Sequence, residues 1–217
     1  MDVKALFVDA AGTLLRPREP VGVTYTRFAR ARGHAVDPVE VEHRWRASMK
    51  SSSGALRQRG DGRLFWSRVV AESVGVEDER LFEELYEWYA MPKAWWIDTE
   101  ALHVLGRIAR QGVRLGIISN WDRRLRTLYQ RFALERMFSV LVCSAEHGVE
   151  KPDPWIFKIA CRAAGVSPRQ AIHIGDDPEK DVAGANRAGL VGMLYDDEEG
   201  WSGLPDRIAV LRRAVFR

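Results

Sequence analysis

Five short apolar runs, separated by stretches with helical periodicity, are the feature that most constrains the fold of this chain. They are partly β-branched and lie at Ala5 to Val8, Val113 to Ile118, Val140 to Cys143, Ala171 to Ile174 and Val191 to Tyr195. Short apolar strands that alternate with amphipathic helices are typical of a parallel sheet covered on both faces. The sequence therefore predicts an α/β fold with a doubly wound, Rossmann-like core.

The stretch from about Leu15 to Ile97 departs from this alternation, because it carries several amphipathic helical patterns and no convincing strand. It predicts an inserted helical cap over residues 16–96, between two parts of the core at 1–15 and 97–217. Ser51 to Gly54 and Gly60 to Gly62 predict loops within the cap, since glycine and serine clusters interrupt helices.

Composition excludes several classes of function. No apolar run approaches the ~20 residues of a membrane helix, and the first residues lead directly into a predicted strand, so we expect no membrane association, no signal peptide and a cytoplasmic location. The 33 basic and 30 acidic residues are interleaved along the chain, which is typical of a solvated surface and not of a nucleic-acid interface. Cys143 and Cys161 are expected to be reduced core residues.

The segment Asp9-Ala10-Ala11-Gly12-Thr13 directly follows the first predicted strand. A carboxylate at this position can attack phosphorus or carbon directly. Gly12 permits a tight turn, and the Thr13 hydroxyl can bond Asp9 or a bound anion. Taken alone, the pattern is more often a surface turn than a site.

Two further segments offer groups that suit an anion. Ser119 and Asn120 follow a predicted strand and precede a helix expected to begin near Asp122, so a hydroxyl, an amide and free helix N–H groups coincide there. Simple helix capping is the alternative interpretation. Lys151 stands in a loop stiffened by two prolines, where an ammonium can neutralise charge on a transferring group. By itself it is an ordinary exposed lysine.

The last polar segment contains Asp176, Asp177 and Asp181, just beyond the fourth predicted strand. Asp9 becomes their neighbour if the first and fourth strands pair. Hard carboxylate oxygens that converge on a phosphate-sized space favour Mg²⁺. Helix capping is the alternative for Asp177 and Asp181, because acids are common at helix N-termini.

In this order the four segments resemble the haloacid dehalogenase superfamily, whose motifs are a nucleophilic aspartate loop, a Ser/Thr, a Lys and a paired-acid loop. The stretch from Ile118 to Leu125 looks particularly like the subgroup named haloacid dehalogenase-like hydrolase domain-containing protein 3. The resemblance implies a hydrolase that acts on a small phosphorylated or otherwise anionic molecule with Mg²⁺ as cofactor. It leaves the oligomeric state open.

The resemblance also implies residue roles. Asp9 is expected to be the nucleophile and a metal ligand, together with the Ala11 carbonyl and Asp176, while Asp177 and Asp181 support the metal site. Ser119, Lys151 and Thr13 are expected to hold the transferring group, and Asn120 to shape the substrate pocket. Lys151 is also expected to be catalytic, since it offsets developing charge.

Ala11 departs from the superfamily pattern, because phosphatases usually carry a second Asp two residues after the nucleophile. A methyl group cannot transfer a proton, and such a catalyst is typically worth roughly 10² to 10⁴ in rate. The sequence therefore predicts a phosphatase-type enzyme with a restricted substrate range. The alternatives are a 2-haloacid dehalogenase-like hydrolase, a phosphonatase-like hydrolase with Lys50 as its imine-forming lysine, and a non-catalytic phosphate-binding regulatory protein.

Overall fold

A computed structural model describes residues 2–51 and 61–213 of the chain. The strands are β1 (Ala5–Val8), β2 (Leu15–Pro17), β3 (Trp95–Ile97), β4 (Arg114–Ser119), β5 (Val140–Cys143), β6 (Ala171–Gly175) and β7 (Val191–Leu194). The α-helices are α1 (Val21–Ala31), α2 (Pro38–Ser51), α3 (Arg63–Val74), α4 (Glu79–Trp88), α5 (Thr99–Ala109), α6 (Arg124–Arg131), α7 (Ser144–His147), α8 (Pro154–Ala164), α9 (Gly184–Ala188) and α10 (Leu204–Arg213). A π-helical turn, Pro178–Ala183, precedes α9.

The main sheet has five parallel strands in the order β5-β4-β1-β6-β7. All five apolar runs form its strands, so the predicted parallel α/β sheet is confirmed. The chain first builds outward from β1 through β4 to β5, then returns to place β6 on the other side of β1. The gap between the carboxyl ends of β1 and β6 is therefore the topological switch point, where ligands bind in such sheets.

The central strands are buried because helices flank the sheet. All four residues of β1 and all five of β6 are buried. One hydrophobic core joins these strands to α8 and α9. Its buried members include Phe7, Ile118, Val142, Ile156, Phe157, Ala160, Ala171 and Ala185. Gly116 in β4 lets the core close, since a Cβ there would lie 2.7 Å from the Phe7 ring.

The chain divides into two compact units. The first contains Met1–Arg16, Ile97–Asn120 and Ala133–Arg217, and the second contains Pro17–Trp96 and Trp121–Phe132. The second unit has its own core on α1, α2, α3 and α4, formed by Val21, Tyr25, Val41, Val70, Leu81, Phe82, Leu85 and Tyr86 among others. The assignment of 16–96 as an inserted cap stays a prediction.

The expectation that no strand occurs between Leu15 and Ile97 is wrong at both ends of that stretch. β2 and β3 pair as a separate two-stranded sheet. Each is three residues long, too short for the alternating pattern that reveals a strand in a sequence. The two loops predicted within the cap have different outcomes. Ser51 is the last residue of α2 and not part of a loop, whereas Asp61 and Gly62 lie in a turn and a bend directly before α3. Residues 52–54 and 60 lie outside the described residues.

None of the helices in the described part of the chain has the length and apolar character needed to cross a membrane. Cys143 and Cys161 are both buried and neither is in a disulfide, and burial raises the pKa of the Cys161 thiol to about 11. Cytoplasmic location stays a prediction.

Candidate active site

Asp9 and Lys151 form a buried ion pair at the switch point of the sheet. Asp9 is the first residue after β1, and its backbone N–H donates to the Ile174 carbonyl of β6 at 2.9 Å. The Lys151 Nζ lies 2.7 Å from Asp9 Oδ1. Burial raises the pKa of Asp9, and the like charges of Asp181 and Asp176 add to this effect against the opposing charge of Lys151. Ionised Asp9 is therefore held at a free-energy cost, which a further cation would relieve.

Asp181 anchors the same lysine from the other side. Its Oδ1 accepts a hydrogen bond from Lys151 Nζ at 2.5 Å, and its Oδ2 accepts from the Asp177 backbone N–H at 3.1 Å. Burial alone would lower the pKa of Lys151, but the charges of Asp9 and Asp181 raise it above its ordinary value. Lys151 therefore stays an ammonium between two carboxylates, although only 3% of its surface is exposed.

Asp176 completes the acidic group from the loop after β6. The Thr13 hydroxyl donates to its Oδ1 at 3.1 Å, which ties this loop to the turn after β1. Gly12 makes the close approach of the two loops possible, because a Cβ at Gly12 would lie 2.5 Å from Asp176 Oδ2. Gly12 also has a φ of +83°, a conformation that glycine adopts without strain. Burial raises the pKa of Asp176.

Asp177, unlike Asp176 and Asp181, does not point its carboxylate into the acidic group. Its Oδ1 accepts from the backbone N–H groups of Glu179 and Lys180 at 3.0 and 2.9 Å, and its Oδ2 accepts from Lys180 Nζ at 2.8 Å. It therefore caps the π-helical turn that carries Asp181. Its side chain lies outside the acidic group, while its backbone N–H orients Asp181.

Ser119 and Asn120 lie at the carboxyl end of β4, the neighbour of β1. The Ser119 hydroxyl is buried and has no hydrogen-bond partner among the described residues, so it is available to a ligand. Both polar atoms of the Asn120 side-chain amide form hydrogen bonds with the main chain of Lys151. Its Nδ2 donates to the Lys151 carbonyl at 2.8 Å, and its Oδ1 accepts from the Lys151 N–H at 2.7 Å.

His173 and Gly175 also belong to this site, although neither of them is part of the sequence motifs described above. The His173 Nε2 lies 2.8 Å from Asp181 Oδ1. Gly175 leaves the room that the Asp181 carboxylate fills, because a Cβ at Gly175 would lie 2.2 Å from Asp181 Cγ. A signal for His173 exists in the sequence, since a polar ring inside an otherwise apolar strand must find a buried partner.

The residues present fit a divalent cation. Oxygen atoms of Asp9, Asp176 and Asp181 all lie within 4.8 Å of one another, and such hard oxygen donors suit Mg²⁺. Three carboxylates face one ammonium, which leaves an excess of negative charge that a cation would balance. Both oxygens of Asp181 already accept hydrogen bonds, so Asp9 and Asp176 are the side chains best placed to bind the metal directly.

The second unit contains a separate buried ion pair that the sequence interpretation missed. The sequence predicts only that a helix begins near Asp122, and the Asp122 Oδ1 accepts from the Arg124 N–H at 2.9 Å. In addition, Arg124 Nη2 lies 2.7 Å from Asp122 Oδ2, and Trp66 Nε1 donates to that oxygen at 2.6 Å. The Arg124 guanidinium also lies 4.0 Å from the centre of the Tyr86 ring. This cluster ties residues 121–132 to α3 and α4.

The fold and this group of acids around a lysine define a class of hydrolase, and the chain belongs to the haloacid dehalogenase-like hydrolase family, whose sequence profile matches residues 3–189. It is similar to the haloacid dehalogenase-like hydrolase domain-containing protein 3 of Xenopus laevis, with 34% identity over 89% of this chain and 84% of that protein. It is also 33% identical to the phosphoserine phosphatase of Thermus thermophilus, over 59% of this chain and 52% of that enzyme.

Solved structures share the fold. The phosphatase of this family from Thermococcus onnurineus matches with a TM-score of 0.68 and 21% identity, over 95% of this chain and 98% of that one. The L-2-haloacid dehalogenase of Xanthobacter autotrophicus also matches with a TM-score of 0.68, at 19% identity over 90% and 80% of the two chains. The fold is thus common to phosphatases and dehalogenases, and the choice between them depends on the site.

Proposed function

We propose that the chain is a Mg²⁺-dependent phosphatase of small phosphorylated molecules, with Asp9 as nucleophile. The single observation that carries the proposal is the convergence of three carboxylates within 4.8 Å. A carbon–halogen bond can be displaced by one carboxylate without a cation, whereas phosphoryl transfer needs charge neutralised on the transferring group. The phosphoserine phosphatase among the relatives supports the same choice.

The chain's own residues have distinct parts in this reaction. Asp9 attacks phosphorus in line, the bond to the leaving oxygen breaks, and the resulting aspartyl-phosphate is then hydrolysed by water. Lys151, fixed 2.7 Å from Asp9, neutralises charge on the phosphoryl oxygens. The unpartnered Ser119 hydroxyl donates to one of them. When bound by Asp9, Asp176 and the predicted Ala11 carbonyl, Mg²⁺ supplies further positive charge.

The substrate range is restricted because the exposed Ala11 stands where phosphatases of this family place a proton donor. A leaving group that needs no proton suffers least from this loss. Aryl and acyl phosphates are therefore expected to be better substrates than alkyl phosphates such as phosphoserine.

The test is hydrolysis of p-nitrophenyl phosphate with magnesium, with chelator, and in the variant Asp9→Asn. We expect turnover that chelator and Asp9→Asn each abolish. Asp153→Asn is a matched control, because Asp153 caps α8 through the Trp155 N–H and asparagine caps a helix equally well. Equal turnover in chelator would reject the proposal. Chloride release from a 2-haloacid in chelator would instead establish a dehalogenase, and tight binding of beryllium fluoride with no turnover of any phosphate would establish a regulatory protein.

A further inference from the structure

A buried histidine lies behind the acidic group, and the reaction described above gives it no part. His173 is in the middle of β6 and has 0% of its surface exposed. Its Nε2 lies 2.8 Å from Asp181 Oδ1, and the Lys151 Nζ lies 2.5 Å from the same oxygen. His173, Asp181, Lys151 and Asp9 therefore form a continuous chain of polar contacts.

The direction of the hydrogen bond follows from the charge of Asp181. The Lys151 ammonium lies 2.5 Å from Asp181 Oδ1, and the Asp177 N–H donates to Asp181 Oδ2 at 3.1 Å. Both contacts stabilise the ionised carboxylate, and although burial would raise it, the pKa of Asp181 lies well below its usual range. An ionised carboxylate only accepts hydrogen bonds, so the His173 Nε2 carries the proton. The Nδ1 atom is buried without a hydrogen-bond partner in the described part of the chain, and a proton there would be an unpaired buried donor. His173 is therefore neutral and protonated on Nε2.

Packing alone does not require a histidine here. The ring contacts Phe157 edge-on with 5.1 Å between ring centres, and its neighbours in β6 are the apolar Ile172 and Ile174. A phenylalanine ring would fill a similar space without the desolvation cost of an imidazole. The Nε2 atom, which a phenylalanine ring lacks, contacts Asp181 Oδ1.

We propose that His173 is a positioning residue, whose Nε2–H fixes the Asp181 carboxylate so that Asp181 holds the Lys151 ammonium beside Asp9. The inference rests on the proposed function in one respect, namely that Lys151 acts on the transferring group. Asp181 Oδ1 has two hydrogen-bond donors, Lys151 Nζ and His173 Nε2. Without His173 only Lys151 remains, and the carboxylate is free to rotate away from its present position. Partners that orient a catalytic group in this way typically contribute about 10- to 100-fold in activity.

The first measurement compares His173→Phe with the conservative variant His173→Gln on p-nitrophenyl phosphate. We expect kcat of His173→Phe to fall about 10- to 100-fold with KM little changed, because Lys151 keeps its charge and loses its position. The amide of His173→Gln can still donate to Asp181, so this variant should recover most of the loss. His103→Phe is the control for adding an aromatic ring, since His103 is exposed on α5.

The second measurement follows the NMR signal of the Lys151 ammonium and does not depend on enzymatic turnover. In protein labelled with ¹⁵N-lysine, the buried ammonium of Lys151, one of six lysines in the chain, should give a resonance protected from exchange with water. Lys151→Met assigns it. We expect the resonance to broaden or disappear in His173→Phe and to persist in His173→Gln. A His173→Phe protein that keeps both its kcat and this resonance would overturn the inference.

The two hypotheses can fail separately. If the wild-type protein hydrolyses no aryl phosphate, the proposed function fails, while the ammonium resonance still decides the role of His173. If His173→Phe does not fold, the ¹⁵N-histidine spectrum of the wild-type protein decides instead. A proton on Nε2 alone supports the inference, and a proton on Nδ1 alone contradicts it.

Discussion

Asn120 holds the main chain of Lys151 through two reciprocal hydrogen bonds, one to its carbonyl at 2.8 Å and one from its N–H at 2.7 Å. The sequence predicts that Asn120 shapes the substrate pocket. Because both of its amide atoms contact Lys151, the structure favours an indirect part, in which Asn120 fixes the loop that presents the ammonium. The two ends of Lys151 are thus held separately, the backbone by Asn120 and the ammonium by Asp9 and Asp181.

Replacing Asn120 with alanine should therefore reduce both stability and turnover. Two hydrogen bonds are lost and two backbone groups are left without partners, which predicts a decrease of about 1–3 kcal/mol in the free energy of unfolding. The measurement is urea unfolding together with kcat for p-nitrophenyl phosphate. Asn186→Ala is the control, because Asn186 makes an exposed bond to the Gly192 N–H. An Asn120→Ala protein with normal kcat would show that Asn120 does not position Lys151.

Introducing an aspartate at Ala11 should restore the absent proton donor. Ala11 is exposed, so a larger side chain is accommodated there. We expect hydrolysis of alkyl phosphates to rise by roughly 10² to 10⁴, with a much smaller change for aryl phosphates. Ala11→Asn has nearly the same shape and transfers no proton, so it should give no gain. If Ala11→Asp gives none either, the restricted range has another cause.

Gly175 should tolerate no side chain, because the Asp181 carboxylate occupies the space that a Cβ at position 175 would need. A Cβ would lie 2.2 Å from Asp181 Cγ, which forces the carboxylate to move. Gly175→Ala is expected to lower the free energy of unfolding by about 1–3 kcal/mol and to reduce kcat by displacing Lys151. Gly203→Ala is the matched control, since nothing lies within 4 Å of a Cβ there. Similar melting temperatures and kcat values for the two variants would contradict this account.

The buried pair of Asp122 and Arg124 gives a prediction about stability alone. Asp122→Ala leaves the Arg124 guanidinium, whose side chain is 8% exposed, without its carboxylate. Removing one partner of a buried pair costs about 3–5 kcal/mol. Glu40→Ala breaks the exposed pair with Arg44 and should cost about 1 kcal/mol or less. Urea unfolding compares them, and equal losses would show that the buried pair is not a major support of the second unit.

The sequence predicts the sheet well because its signal is local. Each strand of the main sheet is built on a short, mostly apolar run, and the aspartate that follows β1 must lie near the one that follows β6 once these strands pair. The roles of Asn120, His173 and Gly175 depend on partners that are distant along the chain or on space left by a missing Cβ. No periodicity encodes such contacts, so they emerge only when the three-dimensional positions are known.

The charge of the acidic group also makes stability depend on pH and magnesium. Burial raises the pKa of Asp9 and of Asp176. A carboxyl whose pKa is raised above the unfolded value of about 3.9 binds more protons when folded, so its contribution to stability falls as pH rises through the folded pKa. The lowered pKa of Asp181 acts in the opposite sense, and its contribution is present above about 3.9 and is lost as pH falls through the folded value.

Magnesium should therefore stabilise the protein more near neutral pH than in acid, because protons compete for Asp9 and Asp176. At about one hundred times its Kd, a ligand adds about 2.7 kcal/mol, or about 5–11 °C in Tm for a chain of this size. Asp176→Asn should raise Tm in chelator, by removing a repelled charge, and abolish the magnesium response. Asp177→Asn should keep that response, because Asp177 caps the π-helical turn and asparagine caps as well. Thermal unfolding measures both variants, and a magnesium response that survives in Asp176→Asn would place the cation elsewhere.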